Sequence, residues 1–332
     1  MIKKITRNIL FPLIYRLGIP GLLLRRANKN FVLCYHGVSQ NPNFNVNNRH
    51  IKIKQFERDI IFYKKYFDVI SIPEIFEIGK IDKAKKPKLV LTFDDGYLNN
   101  FTNILPIAEK HKVPVTFFII TAGLDNPDFI TWYDLLDFVK LSKPNDIQLN
   151  NKIYKKMPNG GYYFDDELID ASIKLMGSER EKVLADFYNR YKKEVENFKN
   201  QYTEYWKLVD REGLRDSIGS KFLTIGSHTH LHYNLGNINN ELLETELTTS
   251  KEILSEISDY EILSIAFPDG SYNENVKDLT TKSGYKFQLA VDYKLANDLN
   301  DPRILKRYSV SNSTTHEANM LKLALKANKY GF

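Results

Sequence analysis

The 332-residue chain is 42% hydrophobic and 27% charged, has a net charge of +6 and contains one cysteine. That length and apolar content suffice for one large core or two smaller ones, such as an α/β barrel of ~200–250 residues plus an insertion. A single cysteine, Cys34, excludes an internal disulfide, and acidic and basic residues interspersed through most of the chain leave no nucleic-acid signature.

Residues 1–30 read as an amphipathic segment, with Lys3, Lys4, Arg7, Arg16, Arg25 and Arg26 around an apolar middle. Arg16, Pro12 and Pro20 interrupt that middle, and no small-x-small cleavage site precedes Arg25-Arg26, so a signal peptide is not expected. The run is also too broken for a bilayer span of ~20 apolar residues. The segment is expected to pack on the body of the protein, the commoner fate of amphipathic stretches, or to make peripheral contact with an anionic membrane surface. A cytoplasmic location, at the inner membrane face in the second case, follows from the same reading.

Strand-like runs at 31–38, 88–93, 113–120, 222–228, 262–267 and 287–292 alternate with helix-like stretches near 54–65, 98–111, 239–257 and 273–283. Asn239 or Asn240 is positioned to cap the third helix, and Gly284 to end the fourth. This alternation predicts an α/β barrel formed by residues 31–127 and 221–315, followed by a C-terminal helix over 316–332. Residues 128–220 break the rhythm with a hairpin at Ile147–Tyr154, turning at Asn150-Asn151, and charged helical sequence over Ser178–Asn197. A structureless loop of that length is not expected inside a compact domain, so the segment reads as an inserted, mainly helical subdomain or lid.

Two strand ends carry the chemistry. Lys88-Leu-Val-Leu-Thr-Phe-Asp-Asp-Gly96 delivers Asp94 and Asp95 to the C-terminal mouth of a buried strand, where α/β folds collect ligands. An Asp-Gly turn is the plainer account of the same residues. Phe222-Leu-Thr-Ile-Gly-Ser-His-Thr-His-Leu-His232 ends another apolar run with three of the seven histidines. One carboxylate and two imidazoles make a three-ligand set for zinc or a similar ion, with a position left for water. His228 and His232 are preferred, since the strand ends by about Thr229 and residues four apart then share a side.

Thr92-Phe-Asp-Asp-Gly96 together with Ser227-His-Thr-x-x-His232 resembles the first two motifs of the polysaccharide deacetylases, the NodB-homology or carbohydrate esterase family 4 proteins. The resemblance implies a distorted or incomplete (β/α)7 barrel, Asp94 as general base, and Asp95, His228 and His232 as ligands of a divalent metal, with zinc the expected ion. Phe31-Val-Leu-Cys-Tyr-His-Gly-Val38 resembles the Tyr-His element of the circularly permuted members that deacetylate poly-N-acetylglucosamine, which implies His36 as general acid. Ile265-Ala-Phe-Pro-Asp-Gly-Ser-Tyr-Asn273 resembles the third motif, so the Asp269 N–H is implied as an oxyanion donor, with Phe267, Pro268 and Tyr272 beside the substrate. Two departures stand out: Asp269 occupies a position where members usually carry Tyr, and Ala266 one where unpermuted members carry the arginine that pairs with the base. Arg307, in Asp301–Val310, matches a late Leu-x-Arg element and is the candidate substitute, although an arginine on an edge strand is more often simply solvated.

At the entrance to the insertion, Trp132 and Tyr133 offer rings on which a sugar can stack, while Trp132 also fits the apolar helix face of Leu135, Leu136 and Val139. Amide hydrolysis by a metal-activated water, an Asp base and a His acid is therefore expected, on a poly- or oligosaccharide containing an N-acetylated amino sugar. Two alternatives remain at this level: hydrolysis of another C–N bond, such as a formamide on a lipid-linked sugar, and a degenerate protein that binds glycan without cleaving it.

Overall fold

The computed structural model describes residues 9–27, 29–40, 42–43, 46–77, 86–310 and 315–332. Its centre is a parallel sheet whose barrel strands are β1 (Phe31–Tyr35), β2 (Lys88–Phe93), β3 (Val115–Ile119), β4 (Leu223–Ser227), β5 (Ser264–Ala266), β6 (Phe287–Ala290) and β7, which runs as Ile304–Lys306 and Tyr308–Ser309. The first half of β7 pairs with β6 and the second half with β1, so the sheet closes on itself through the single intervening residue, Arg307. A further short strand, Asp68–Val69, pairs with β2 outside this ring.

The strands are near-continuous apolar runs because both of their faces are covered. Alternation decides which side chain goes where. Phe31, Leu33 and Tyr35 of β1 and Leu89, Leu91 and Phe93 of β2 join the large core under the outer helices. Val32, Val90, Phe118, Ala266 and Leu289 instead form a separate core with Ile72 and Ile75. Cys34 and His36 share the parity of Val32, and Thr92 and Asp94 that of Val90, so polar groups succeed apolar ones toward the C-terminal mouth. The helix Asn240–Ser258 covers the barrel with Leu243, Leu247 and Leu254, and the Asn239 side chain caps it by accepting from the Leu242 N–H. The next helix ends at Lys282, and Gly284 follows with φ +87, a conformation open to glycine at little cost.

The insertion has its own core, with Trp132, Leu136, Val139, Ile147, Tyr154, Ile173, Phe187 and Trp206 buried together. It is mainly helical, as expected, and extends the expected hairpin by two short strands: Asp146–Leu149, Lys152–Lys156, Tyr162–Phe164 and Glu167–Leu168 form a four-stranded antiparallel sheet. The hairpin turns at Asn150, at φ 52, as expected. The third and fourth strands are short and bury Tyr162 while leaving Phe164 exposed, too few residues for alternation to register in the sequence. The charged stretch after Ser178 is two helices, Arg180–Arg190 and Lys192–Gln201, parted at Tyr191, whose hydroxyl accepts from the Gln148 N–H at 2.7 Å.

Of the N-terminal segment, residues 1–8 and 28 lie outside the described residues. The rest forms helices Phe11–Arg16 and Ile19–Ala27, which pack against the C-terminal helix His316–Leu325, with Tyr15 edge-on to His316 at 4.9 Å and Leu24 buried. Leu13, Leu17 and Leu22 stay exposed, and no helix among the described residues is long and apolar enough to cross a membrane. The C-terminal stretch is divided between His316–Leu325 and Ala327–Tyr330.

Lys277, 1% exposed, ties its helix to the loop before β7 through Asp298 at 2.8 Å and Asp301 at 2.7 Å. Removing one partner of such a buried group strands the others. Lys277→Met should therefore destabilise the fold by ~3–5 kcal/mol, read by urea denaturation, whereas Asn239→Ala should cost ~0.5–2 kcal/mol.

Candidate active site

Strand parity sends Asp94 into the barrel mouth, and the next residue reaches the same space only because Asp95 adopts φ 73 ahead of Gly96 at φ 74. Left-handed backbone is costly for a residue with a side chain, and it persists where surrounding structure enforces it. Thr229 and His232, at φ 66 and 61, bend the segment after β4 in the same way and turn His228 and His232 toward each other, with ring centroids 4.8 Å apart. The Glu246 carboxylate holds this segment by accepting from the N–H groups of His230 and Leu231.

Asp95 Oδ1 lies 3.6 Å from His228 Nε2 and 3.8 Å from His232 Nε2. His228 donates its Nδ1–H to the Ala266 carbonyl at 2.8 Å, which leaves the Nε2 lone pair free to face Asp95. Asp95 Oδ2 and His232 Nδ1 are buried with no hydrogen-bond partner among the described residues. Burial pushes Asp95 up to about 6, with Asp94 adding to the rise and His228 opposing it, and burial and then His228 depress His232. Two imidazoles and a carboxylate, buried at this spacing and short of partners, fit a divalent cation. His230, the histidine set aside, bonds Thr121 at 2.9 Å instead.

Asp94 belongs to a different arrangement. Arg307, wholly buried, grips it with two hydrogen bonds, NH1 to Oδ1 at 2.6 Å and NH2 to Oδ2 at 2.8 Å, and NH1 also donates to Thr92 at 3.2 Å. Burial alone would raise the carboxyl, but Arg307 and then His228 outweigh it and hold Asp94 well below the usual carboxylate range. Arg307 lies beside Asp94, where the Leu-x-Arg match puts it, and not in solvent as an edge-strand arginine more often does, because β7 breaks at this residue and directs it into the barrel. The Cys34 thiol donates to Asp94 at 3.3 Å, and burial raises its pKa well above the ordinary value. Cys34, His36 and Asp94 form a second group whose donor atoms lie within 4.8 Å of one another. Burial pushes His36 down to about 4 against the pull of Asp94, which favours the neutral imidazole.

These residues line one cavity of about 360 Å³, together with Arg49, Trp132, Tyr133, Asp137, Asp170, Phe267, Asp269, Val291 and Ser309. Trp132 packs in the insertion core and also borders the cavity. Tyr133 stands edge-on to His232 at 5.2 Å and under the Arg49 guanidinium at 4.5 Å. Pro268 and Tyr272 are not among the lining residues. The Tyr272 ring stacks on Phe267 and its hydroxyl donates to Asp298 at 2.5 Å, so its polar end serves the loop before β7 and not the cavity, a correction to the expected substrate contact. Asp269 sits at φ 55 with its carboxylate 3.2 Å from Lys174, and among the described residues its N–H has no hydrogen-bond partner.

Sequence reasoning missed Arg49, Asp137 and Asp170. Arg49 ends an Asn-rich loop with no periodic signal, and it reaches the site by bonding Asp134 at 2.5 Å and Asp137 at 3.1 Å on the insertion's first helix. Asp134 and Asp137 are spaced i, i+3 on that helix, the one signal that a common partner was available.

The polysaccharide deacetylase family model matches residues 81–162 and 182–288, more than half of the chain. Over 109 residues the chain is 28% identical to the poly-beta-1,6-N-acetyl-D-glucosamine N-deacetylase of Staphylococcus aureus (strain MSSA476), covering 32% of this chain and 36% of that protein. The match thus spans about a third of the curated relative's length. Among solved structures, the Streptococcus pyogenes deacetylase PplD in complex with acetate superposes with a TM-score of 0.56 at 15% identity, over 89% of this chain and 97% of that one. IcaB from Ammonifex degensii does so at 0.54 and 15%, over 89% and 97%. At such identities the likeness is one of fold, and these relatives share with this chain a barrel of alternating parallel strands and helices. The family match, extending across both motif-bearing strands, makes this chain a member of the polysaccharide deacetylase family.

Proposed function

We propose that the protein is a metal-dependent N-deacetylase that hydrolyses the acetamido group of an N-acetylated amino sugar in a glycan. The observation that carries this reading is the pairing of two neighbouring carboxylates with opposite surroundings: Asp94 ionised against Arg307, and Asp95 facing two histidines. Environments that push adjacent acids apart assign them separate tasks.

Asp95, His228 and His232 would hold a divalent ion, zinc being the natural occupant of two imidazoles and one carboxylate. When bound there, the ion supplies Lewis acidity and lowers the pKa of water toward neutrality. Asp94 takes the proton of the attacking water, kept ionised and aimed by the Arg307 fork. The Asp269 N–H donates to the oxyanion formed at the amide carbon. His36 is neutral at rest, so the proton it gives to the departing nitrogen is one it gains during the reaction, and Asp94 lies within the same compact group to supply it. Tyr133 and Trp132 border the space for the sugar ring.

A protein that only binds glycan has no use for a base locked by a buried arginine beside a three-ligand group, which favours catalysis over the binding-only alternative. The relative from Staphylococcus aureus, named for deacetylation of poly-N-acetylglucosamine, supports the same substrate class.

Asp94→Asn should lower acetate release from N-acetylglucosamine oligomers by at least ~10²–10⁴-fold while metal content, measured by mass spectrometry, stays unchanged. Turnover that survives the substitution would remove Asp94 from its role. Chelation should abolish acetate release, with zinc or cobalt restoring it, and His232→Ala should lose both metal and activity.

Arg307→Gln strands a buried carboxylate and should cost ~3–5 kcal/mol at pH 7. In the native protein the depressed Asp94 pKa contributes stability above the unfolded value of ~3.9, which is lost as pH falls through the folded value. In the variant burial raises Asp94, so acidification neutralises the stranded group and the stability gap to the native protein should narrow. Denaturation curves at a series of pH values read this directly; a gap that widens toward acid would contradict the pairing.

A further inference from the structure

The insertion forms part of the cavity wall. Its short helix Ile169–Lys174 carries Asp170, which lines the cavity, and Lys174 four residues later, which therefore lies on the same helix face. Lys174 reaches across to Asp269 in the loop after β5 and pairs with it at 3.2 Å. Asp170 is held from the other side by Lys140, which donates to both of its oxygens at 2.8 Å. Arg49, also in the cavity wall, fastens the barrel to the insertion's first helix through Asp134 and Asp137. Behind the histidine segment, the buried Arg180 of the insertion donates to the carbonyls of Leu231 at 2.7 Å and His232 at 2.9 Å and lies over the Tyr233 ring at 3.6 Å. The insertion is thus tied to the barrel by three groups, Lys174, Arg49 and Arg180.

A polymer bound along its length needs a groove open at both ends. Here the side toward the β5 loop is crossed by a helix and an ion pair. The carboxylate of Asp269, a departure from the aromatic residue usual in the family, is the group that makes this crossing possible. The cavity volume, about 360 Å³, lies at the small end of the ~300–1,000 Å³ typical of small-molecule pockets. We infer that the site admits the end of a glycan, one terminal N-acetylated sugar or a short saccharide carrying it, and excludes sugars in the interior of a long chain. This rests on the deacetylase reading, and Lys174 with Asp269 is its specificity-determining latch.

The test is to map free amines by tandem mass spectrometry after the zinc-loaded full-length protein acts on N-acetylglucosamine, its short oligomers and a soluble polymer. The expected result is deacetylation confined to terminal residues, with a rate per chain end that does not grow with chain length. Lys174 is partly exposed and outside the metal and base groups, so Lys174→Ala and Lys174→Glu should fold. Lys174→Ala should raise the ratio of internal to terminal deacetylation roughly two- to fivefold, the scale of an exposed ion pair. Lys174→Glu, which sets like charges against each other, should raise it further. Internal sugars deacetylated as fast as terminal ones by the native protein would overturn the inference and leave the deacetylase reading standing. Lysine variants with unchanged ratios would overturn the latch. Absence of turnover on every N-acetylated substrate would overturn the deacetylase reading itself, and this inference with it.

Discussion

The ion pair between Arg307 and Asp94 is the interaction on which both the barrel and its site depend. Arg307 is the residue at which β7 leaves β6 and joins β1, so the guanidinium enters the interior where the sheet closes. A buried guanidinium demands a carboxylate, and a buried carboxylate demands a cation. Each group is tolerable only because the other is present, and their two-point contact fixes Asp94 in ionisation state and in direction. Ring closure and the ionisation of Asp94 are therefore one feature of the structure.

Around that pair the site is layered by strand parity. Apolar residues fill the lower interior, Thr92 and Cys34 follow as hydrogen-bonding groups, and Asp94 and His36 come last. Asp95 departs from this order through its positive φ, which carries a second acid away from Arg307 and toward His228 and His232. Two carboxylates adjacent in sequence thereby acquire opposite electrostatics, the first held down by a cation and the second pushed up by burial.

The insertion is more than an appendage to this centre. It supplies Trp132, Tyr133, Asp137 and Asp170 to the cavity wall, and its Arg180 braces the carbonyls of the histidine-bearing segment. Its core is separate from that of the barrel, and charged pairs join the two. The acids and histidines at the strand mouths and the cavity wall facing them thus come from different parts of the chain.

Local pattern was enough to locate six of the seven barrel strands, the two polar strand ends and a cap at Asn239 or Asn240, because each depends on residues close together in the sequence: period-two burial, abrupt polar termini and an Asn before an apolar helix; the broken β7 was reached only through the family resemblance. The hairpin at Asn150 was legible for the same reason. The antiparallel meander beyond it was not, since strands of two or three residues carry too little alternation, and a helical reading of its surroundings absorbed them. Tyr272 was misplaced because its motif position says nothing of the distant Asp298 that takes its hydroxyl. The burial of Arg307, the approach of Arg49 and the latch from Lys174 to Asp269 join residues far apart in the chain. The sequence by itself determined which side chains could hold a metal and move a proton; only ring closure and the docking of the insertion decided their ionisation, their partners and the wall around them, because those properties come from desolvation and charge brought together by the fold.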